Sequence, residues 1–166
     1  MPALPATKQE DGYTYEDYLQ FPDDVRCEII GGRIHDMTPA PTTKHQRVVR
    51  EISRIVTNAM LAKDPGHRCE LFPAPIDVIF SAHDTVQPDV VIVCDRKKIR
   101  EKGIFGAPEV VFEVLSPSTE PKDRREKREL YERSGVREYF LVNPVSEFIE
   151  KYNLTATGYG KPALFD

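Results

Sequence analysis

The stretch VQPDVVIVCD, residues 86–95, places the carboxylate of Asp89 directly before five consecutive apolar residues. A second apolar run, EVVFEVLSPST at residues 109–119, carries Glu113 near its middle. Both runs are short, rich in Val and next to Pro, which favours β-strands over helix. Because neither run alternates strictly, we predict strands that are covered on both faces, as in a sheet that carries helices.

Each of these two carboxylates has a structural and a functional interpretation. Strand alternation puts Glu113 on the same face as Val111 and Leu115. A buried carboxylate must be paired, protonated or bound to a metal. Glu113 could simply pair with an arginine, and Asp89 could accept backbone hydrogen bonds at a strand start next to proline. Either run alone leaves these alternatives open.

The chain before these strands predicts a short helix, a hairpin and a further strand. The short helix begins after Thr14, and Asp17 is spaced for a capping box. Two β-rich segments flank Gly31-Gly32, whose tolerance of positive φ suits a two-residue hairpin turn. The apolar run APIDVIF, residues 74–80, predicts another core strand.

The longest periodic segment, PAPTTKHQRVVREISRIVTNAMLA at residues 39–62, predicts an amphipathic helix. Thr43 and Gln46 are spaced to form its capping box. The apolar residues that recur at helical spacing and define one packing face are Val48, Val49, Ile52, Ile55, Val56, Ala59 and Met60.

A charged segment, KDRREKRELYERSG at residues 122–135, predicts a helix that ends at its final glycine. At about 100° per residue, the large apolar residues Leu130 and Tyr131 define its buried side. Lys127 and Asp123 lie on that side, one and two turns earlier. A lysine on this face is expected to reach toward the sheet, although its stem could instead carry the ammonium into water.

The predicted elements form one domain. Strands at residues 138–142 and 147–152 follow the charged helix, joined by a turn at Asn143-Pro144. A chain of 166 residues, 40% hydrophobic and 30% charged, is long enough for one core and too short for two. We predict an α/β (α+β) fold with a mixed central sheet flanked by helices and an N-terminal β-hairpin. Residues 1–12 are expected to form a flexible arm and residues 13–166 the domain.

Charge, cysteines and hydropathy limit the class of protein. The net charge of -4 argues against a protein that coats nucleic acid by bulk electrostatics. A basic cluster could still touch phosphate or lie in a solvated loop; it comprises Lys97, Lys98, Arg100 and Lys102. Three cysteines without a CxxC pair indicate neither a disulfide framework nor a zinc site, and fit a reducing cytoplasm. Without a signal peptide or a membrane-spanning apolar run, we expect a soluble cytoplasmic protein with no membrane partner.

Taken together, Asp89, Glu113 and Lys127 suit one kind of chemistry. Two carboxylates from neighbouring strands suit Mg²⁺, which takes few protein carboxylates and keeps water and substrate phosphate in its other positions. The ion lowers the pKa of a bound water, and a lysine stabilises the attacking hydroxide or the charge that develops on the phosphate. The combination therefore predicts phosphodiester hydrolysis.

These same segments resemble a known family. The segments EIIGG, HQRVV, QPDVVIV, VVFEVLSPST and DRREKRELYERSGVREYFLVNP are together similar to the Uma2 family of bacterial restriction-endonuclease-like proteins, formerly a domain of unknown function. The resemblance covers residues 15–154, and EVLSPST and GVREYFLVNP make it specific. It implies the restriction-endonuclease-like PD-(D/E)XK fold, a mixed central sheet flanked by helices, and activity on DNA.

The resemblance also implies roles for single residues. Asp89 and Glu113 match the two acidic residues that hold the metal. The lysine of the superfamily motif would stand two residues after Glu113, where this chain has Leu115, but Lys127 matches a lysine that some members carry on the following helix. Glu28 in CEIIGG matches a further acidic position and would be an accessory catalytic group, or else a strand residue that faces solvent.

Two further residues match recurrent positions of the family and are assigned to substrate binding. Gln87 could orient substrate or a ligand, and His45 could do the same or simply settle the start of its helix. The full hypothesis is a cytoplasmic, homodimeric, Mg²⁺-dependent endonuclease on DNA, with Mn²⁺ able to substitute. The alternative is a catalytically inactive nuclease fold that binds nucleic acid or serves assembly.

Overall fold

A computed structural model describes residues 11–37, 40–66 and 68–166 of the chain. Its α-helices are Tyr15–Tyr18 (α1), Thr43–Lys63 (α2), Glu120–Lys122 (α3) and Arg128–Ser134 (α4). A π-helical turn, Asp123–Lys127, joins α3 to α4, and a 3₁₀ turn occupies Arg96–Lys98. Within the described ranges, no helix is long and apolar enough to cross a membrane. Of the predicted arm at residues 1–12, the first ten residues lie outside the described part.

The strands are short and form two mixed sheets. In chain order they are Cys27–Ile30 (β1), Arg33–Asp36 (β2), Glu70–Pro73 (β3), Val78–Ser81 (β4), Asp84–Val86 (β5), Val90–Val93 (β6), Ile99–Arg100 (β7), Gly103–Phe105 (β8), Val110–Val114 (β9), Glu138–Asn143 (β10), Phe148–Thr155 (β11), Gly158–Tyr159 (β12) and Ala163–Phe165 (β13). The first sheet has the order β2-β1-β5-β4-β8-β7. The second has the order β12-β11-β10-β9-β6-β3, with β13 also paired to β11.

The mixed α/β fold and the N-terminal hairpin are confirmed. Strands β1 and β2 pair antiparallel, and Gly31 and Gly32 have φ angles of 57° and 74°, which the two-residue turn requires. Parallel pairs occur in both sheets, β4 with β8 and β9 with β10. One detail differs from the prediction, because the strand predicted at residues 74–80 is β4 of the first sheet and does not join β6 and β9.

Strands β6 and β9 are antiparallel neighbours, so their carboxylates come from adjacent strands. Val90 pairs with Phe112, and one step further this register sets Asp89 opposite Glu113. The two faces of the pair bury different clusters: Val91 and Val111 pack toward α4, whereas Val90 and Phe112 pack toward α2. Burial on both faces explains why these strands lack strict alternation in the sequence.

The long helix α2 differs from its prediction at two points. Thr42 is the N-cap and its hydroxyl accepts from the His45 N–H at 3.2 Å, so the predicted capping box of Thr43 and Gln46 is wrong by one residue. Ile55 and Ala59, both predicted on the packing face, are exposed, Ile55 to 56%. The helix contacts the sheet mainly through its first half, with Val49 as its buried residue, and Ile55 lies beyond the covered stripe.

The expectation that the cysteines form no disulfide is wrong for two of them. Cys69 and Cys94 are joined by a disulfide, and Cys27 is a buried free thiol. The pairing follows from the register, because Glu70 pairs with Val93 and the two cysteines are the next residues outward. The argument for a reducing compartment rested on unpaired cysteines and loses that support.

The charged helix is interrupted where the sequence predicted a continuous one. It closes at Gly135 with φ of 88°, as predicted, and buries Leu130 and Tyr131. The preceding turn is π-helical and brings both Asp123 and Lys127 to its buried side. Such turns are frequent at functional sites.

Candidate active site

A cleft of about 660 Å³ opens between the start of α2, strand β1, the facing ends of β6 and β9, and the segment from α3 to the π-helical turn. All six site residues predicted from the sequence line it: Glu28, His45, Gln87, Asp89, Glu113 and Lys127. Lys122 and Asp123 line it as well. The two sheets and the helices therefore each contribute to one cavity.

Lys127 reaches into the sheet, as its position on the helix indicated, and the alternative of an ammonium in water does not hold. Its side chain is 4% exposed, and Nζ lies 2.9 Å from an oxygen of Glu28 and 2.9 Å from an oxygen of Glu113. Burial lowers the pKa of Lys127, but the surrounding carboxylates outweigh burial and hold this pKa well above its ordinary value. Lys127 is therefore a fixed positive charge in the cleft.

Glu113 is buried and is paired with Lys127 and a tyrosine, so the alternative of an arginine partner does not hold. Its Oε1 accepts from Lys127 Nζ at 2.9 Å and from the Tyr131 hydroxyl at 2.6 Å. Burial raises the pKa of Glu113 well above its ordinary value, and neighbouring carboxylates add to the rise while Lys127 opposes it. A further positive charge would relieve this excess of negative charge.

Asp89 accepts a backbone hydrogen bond at the start of a strand, as its structural interpretation suggested, and it also lines the cleft. Its Oδ2 accepts from the Val114 N–H at 2.7 Å, which ties the start of β6 to the residue after Glu113. His45 Nε2 lies 3.3 Å from the same oxygen and 3.1 Å from the Val114 carbonyl, so this nitrogen carries the proton. The hydrogen bond to Asp89 raises the pKa of His45 above its ordinary value.

Glu28 is fully buried, which excludes the alternative of a strand residue facing solvent. One carboxylate oxygen accepts from the Gln87 N–H at 2.9 Å and forms an ion pair with Lys127 Nζ, also at 2.9 Å, and the other accepts from Lys122. Burial raises the pKa of Glu28, but Lys127 and Lys122 outweigh burial and lower it below its ordinary value. Glu28 is therefore an ionised carboxylate that holds two lysines.

Gln87 contacts the other site residues through its backbone N–H, which donates to Glu28. Its side-chain amide nitrogen donates to Asp77 at 2.8 Å and to the Tyr18 hydroxyl at 3.2 Å. Its backbone N–H holds Glu28 in place. The side chain is thus anchored to α1 and to the residue before β4, and the backbone of Gln87 fixes Glu28.

Three residues near Lys127 were not singled out as site residues by the sequence. Tyr131 looked like a packing residue, and nothing in the pattern shows that its hydroxyl reaches Glu113. Lys122 reaches Glu28 across the cleft, a contact that depends on the path of α3. Asp123 was predicted to lie on the same helix face as Lys127, and that was the sequence signal that could have identified it as a site residue. Its Oδ1 lies 3.7 Å from Lys127 Nζ.

The charges that line the cleft do not balance. Among its buried and half-buried groups, Asp89, Glu113, Glu28 and Asp123 supply four carboxylates, and Lys122 and Lys127 supply two ammonium groups. The exposed Asp23 and Arg26 also line the cleft, and their charges cancel. With all four carboxylates ionised and His45 neutral, the formal difference is two negative charges, the amount that one divalent cation would neutralise. Buried excess charge is unfavourable unless it is paired or bound to a metal.

The predicted basic cluster between the core strands does not line this cleft. Lys98 donates to the Ala107 carbonyl at 2.7 Å and lies 3.3 Å from Glu109. The guanidinium of Arg100 lies over the Phe105 ring, 4.5 Å from its centre. Lys98 and Arg100 therefore make contacts within residues 98–109, away from the cleft.

Similarity to known proteins covers most of the chain. An uncharacterized protein of Synechocystis sp., slr1290, is 29% identical over 147 residues, which are 86% of this chain and 75% of that protein. The crystal structure of a "putative nuclease belonging to DUF820" from Anabaena variabilis has a TM-score of 0.73 at 21% identity and covers 92% of this chain and 84% of that one. Residues 15–165 match the Uma2 family, described as "Putative restriction endonuclease". The chain therefore belongs to the Uma2 family.

Proposed function

We propose that this protein is a metal-dependent endonuclease that hydrolyses phosphodiester bonds in DNA. The observation that carries the proposal is the meeting of three groups in one cleft. Asp89, directly before β6, lies opposite Glu113 on β9, and Lys127 contacts Glu113. The description of the family as restriction endonucleases supports DNA as the substrate.

The residues present fit a small divalent cation held by two carboxylates. Among the described residues, no group of three or more His, Cys, Asp or Glu side chains forms a ready cage for a metal. Mg²⁺ does not need such a cage, because one or two carboxylates suffice and water and phosphate fill the other positions. Asp89 and Glu113 would hold the ion, and Mn²⁺ would substitute for it. When bound, the ion supplies an activated water and a polarised phosphoryl oxygen.

The protein's own residues would then stabilise charge on the phosphate and hold one another in position. Lys127, which stays protonated, would stabilise negative charge on the scissile phosphate and would not accept a proton from water. Glu28 is the accessory group that holds Lys127 and Lys122. His45 holds Asp89 through Nε2, in addition to the substrate-binding role proposed for it and for Gln87.

The assembly that we propose is a homodimer. Cutting both strands of a duplex usually takes two active centres of this kind. A second copy of the chain would supply the other centre. Sedimentation of the protein with a short DNA duplex would show two protein chains per duplex.

The experiment is a cleavage assay on supercoiled plasmid DNA with Mg²⁺, with Mn²⁺ and with EDTA. We expect nicking or linearisation only with metal, and a loss of at least about 100-fold in Glu113→Gln and Asp89→Asn, in line with removal of a charged group at a reacting centre. Asp23→Asn is the matched control, because Asp23 also lines the cleft but is exposed.

The result also separates the enzyme from the alternative. Cleavage that persists in EDTA or in Glu113→Gln would contradict the proposal. DNA binding by the wild-type protein without any metal-dependent cleavage would support the inactive nucleic-acid-binding or assembly module instead.

A further inference from the structure

A third carboxylate lies beside Lys127 without bonding to it. Nζ is 2.9 Å from Glu28 and 2.9 Å from Glu113, but 3.7 Å from Oδ1 of Asp123. This Oδ1 is buried and has no hydrogen-bond partner among the residues that the structure describes. A buried polar oxygen in that situation is uncommon in folded proteins and requires a physical explanation.

The fold holds Asp123 in this place. The residue is 1% exposed and opens the π-helical turn. Its N–H donates to the Thr119 carbonyl at 2.9 Å, and its carbonyl accepts from the Tyr139 hydroxyl at 2.9 Å. Asp123 is therefore fixed on both sides of its peptide unit, next to Lys127 and facing the same cleft.

A cation on Glu113 would disturb the present contacts of Lys127. This step rests on the proposed function. Like charges a few ångströms apart repel strongly in a site shielded from water, so an ion on Glu113 would weaken the contact between Glu113 and the ammonium. Glu28 already accepts from the Gln87 N–H and from Lys122, in addition to its ion pair with Lys127. Asp123 Oδ1 remains available, and a shift of about 0.8 Å would shorten 3.7 Å to the 2.9 Å of the other two contacts.

We propose that Asp123 is a positioning residue that receives Lys127 when Glu113 binds the divalent cation. The ammonium keeps Glu28 as one partner and exchanges Glu113 for Asp123. Glu113 is then released to ligate the ion without sending the lysine out of the cleft. The unpartnered oxygen of Asp123 is explained as the acceptor of the metal-bound state.

The direct test is a crystal structure of the wild-type protein grown with Mn²⁺, whose anomalous signal locates the ion. We expect density between Asp89 and Glu113, with Lys127 Nζ within about 3 Å of Asp123 Oδ1 and farther from Glu113 than before. Bound Mn²⁺ with Lys127 still on Glu113 would overturn the role of Asp123 and leave the proposed nuclease intact. No Mn²⁺ at these carboxylates would overturn the metal site, and the role of Asp123 with it.

A second test measures Mn²⁺ affinity in solution by electron paramagnetic resonance of the free ion. Asp123→Ala is expected to weaken the affinity about ten-fold, the effect of losing a hydrogen bond to a charged group. Asp123→Asn keeps an acceptor oxygen and should lose about three-fold or less. In the Lys127→Met background, Asp123→Ala should cause no further loss, because the residue acts through the lysine.

The control separates this role from charge alone. Asp23→Ala removes an exposed carboxylate that lines the same cleft and should change the affinity by less than about two-fold. Equal losses in Asp123→Ala and Asp123→Asn, or an undiminished loss in the Lys127→Met background, would show that only the charge of Asp123 matters and would overturn the proposal.

Discussion

At the scale of single residues, Lys127 holds the buried charges of the site together. Its position on the buried side of the helix could be predicted from the sequence, because helical periodicity depends only on nearby residues. Its partners could not all be predicted, since Glu28 lies on a distant hairpin and the apolar environment of Glu113 suggested only that some partner was needed. The identity of a long-range partner depends on packing, which periodicity does not contain.

The importance of this lysine can be measured as stability. Lys127→Met would leave Glu28 and Glu113 buried without their shared cation, and we expect the free energy of unfolding to fall by about 3–5 kcal/mol. Urea denaturation at pH 7 without metal would measure it. Arg125→Met, at an exposed position in the same turn, should change the free energy of unfolding by less than about 0.5 kcal/mol. A similar small change in Lys127→Met would contradict the paired arrangement.

At the scale of elements, Asp84 links the hairpin to the helix that follows the site. One oxygen accepts from the Gly31 N–H at 2.8 Å and the other from the Ser81 hydroxyl at 2.7 Å. Arg133 on α4 donates to both oxygens, at 2.7 and 3.1 Å. The hairpin that carries Glu28 and the helical segment that carries Lys127 are thus joined at a second point, away from the cleft.

This link predicts a pH dependence of stability. Burial raises the pKa of Asp84, but the hydrogen bonds from Arg133, Gly31 and Ser81 outweigh burial and lower it below its ordinary value. A lowered pKa stabilises the fold above the unfolded value of about 3.9, and this stabilisation is lost as the pH falls through the lower folded value. Asp84→Asn should cost about 1–3 kcal/mol at pH 7 and distinctly less at pH 3.

Urea denaturation of both proteins at the two pH values measures this effect. Asp24→Asn, at an exposed position, serves as the control and should differ from wild type by less than about 0.5 kcal/mol at both pH values. A cost of Asp84→Asn that is the same at pH 3 as at pH 7 would mean that the carboxylate charge is not what stabilises the link.

The disulfide is a second link between elements, joining the residue before β3 to the residue after β6, the strand that Asp89 precedes. It closes a loop over a sequence separation of 25 residues. Loop closure of that length stabilises a fold by about 3–4 kcal/mol, so a reductant should lower the free energy of unfolding of the wild-type protein by that amount. The variant Cys69→Ser with Cys94→Ser should have the lower stability already, and the reductant should not change it. An equal response of both proteins would place the effect elsewhere.

At the scale of the whole molecule, the sequence predicted the elements well and their assembly less well. The hairpin, the two core strands and the charged helix are set by local signals such as glycine pairs, apolar runs and caps. The division of the strands into two sheets depends on pairings such as β1 with β5 and β4 with β8, which join distant segments. The cysteine count suggested no disulfide because a count carries no information on strand register.

The order of strands along the chain has a consequence for engineering. The chain crosses from one sheet to the other between β2 and β3, β3 and β4, β5 and β6, β6 and β7, and β8 and β9. Glu28 belongs to the first sheet and Glu113 to the second. Since the sheets are interleaved in this way, no single cut yields two fragments with one sheet each. The site therefore cannot be transplanted as a contiguous peptide, and a split version of the protein would regain it only when its fragments reassemble both sheets.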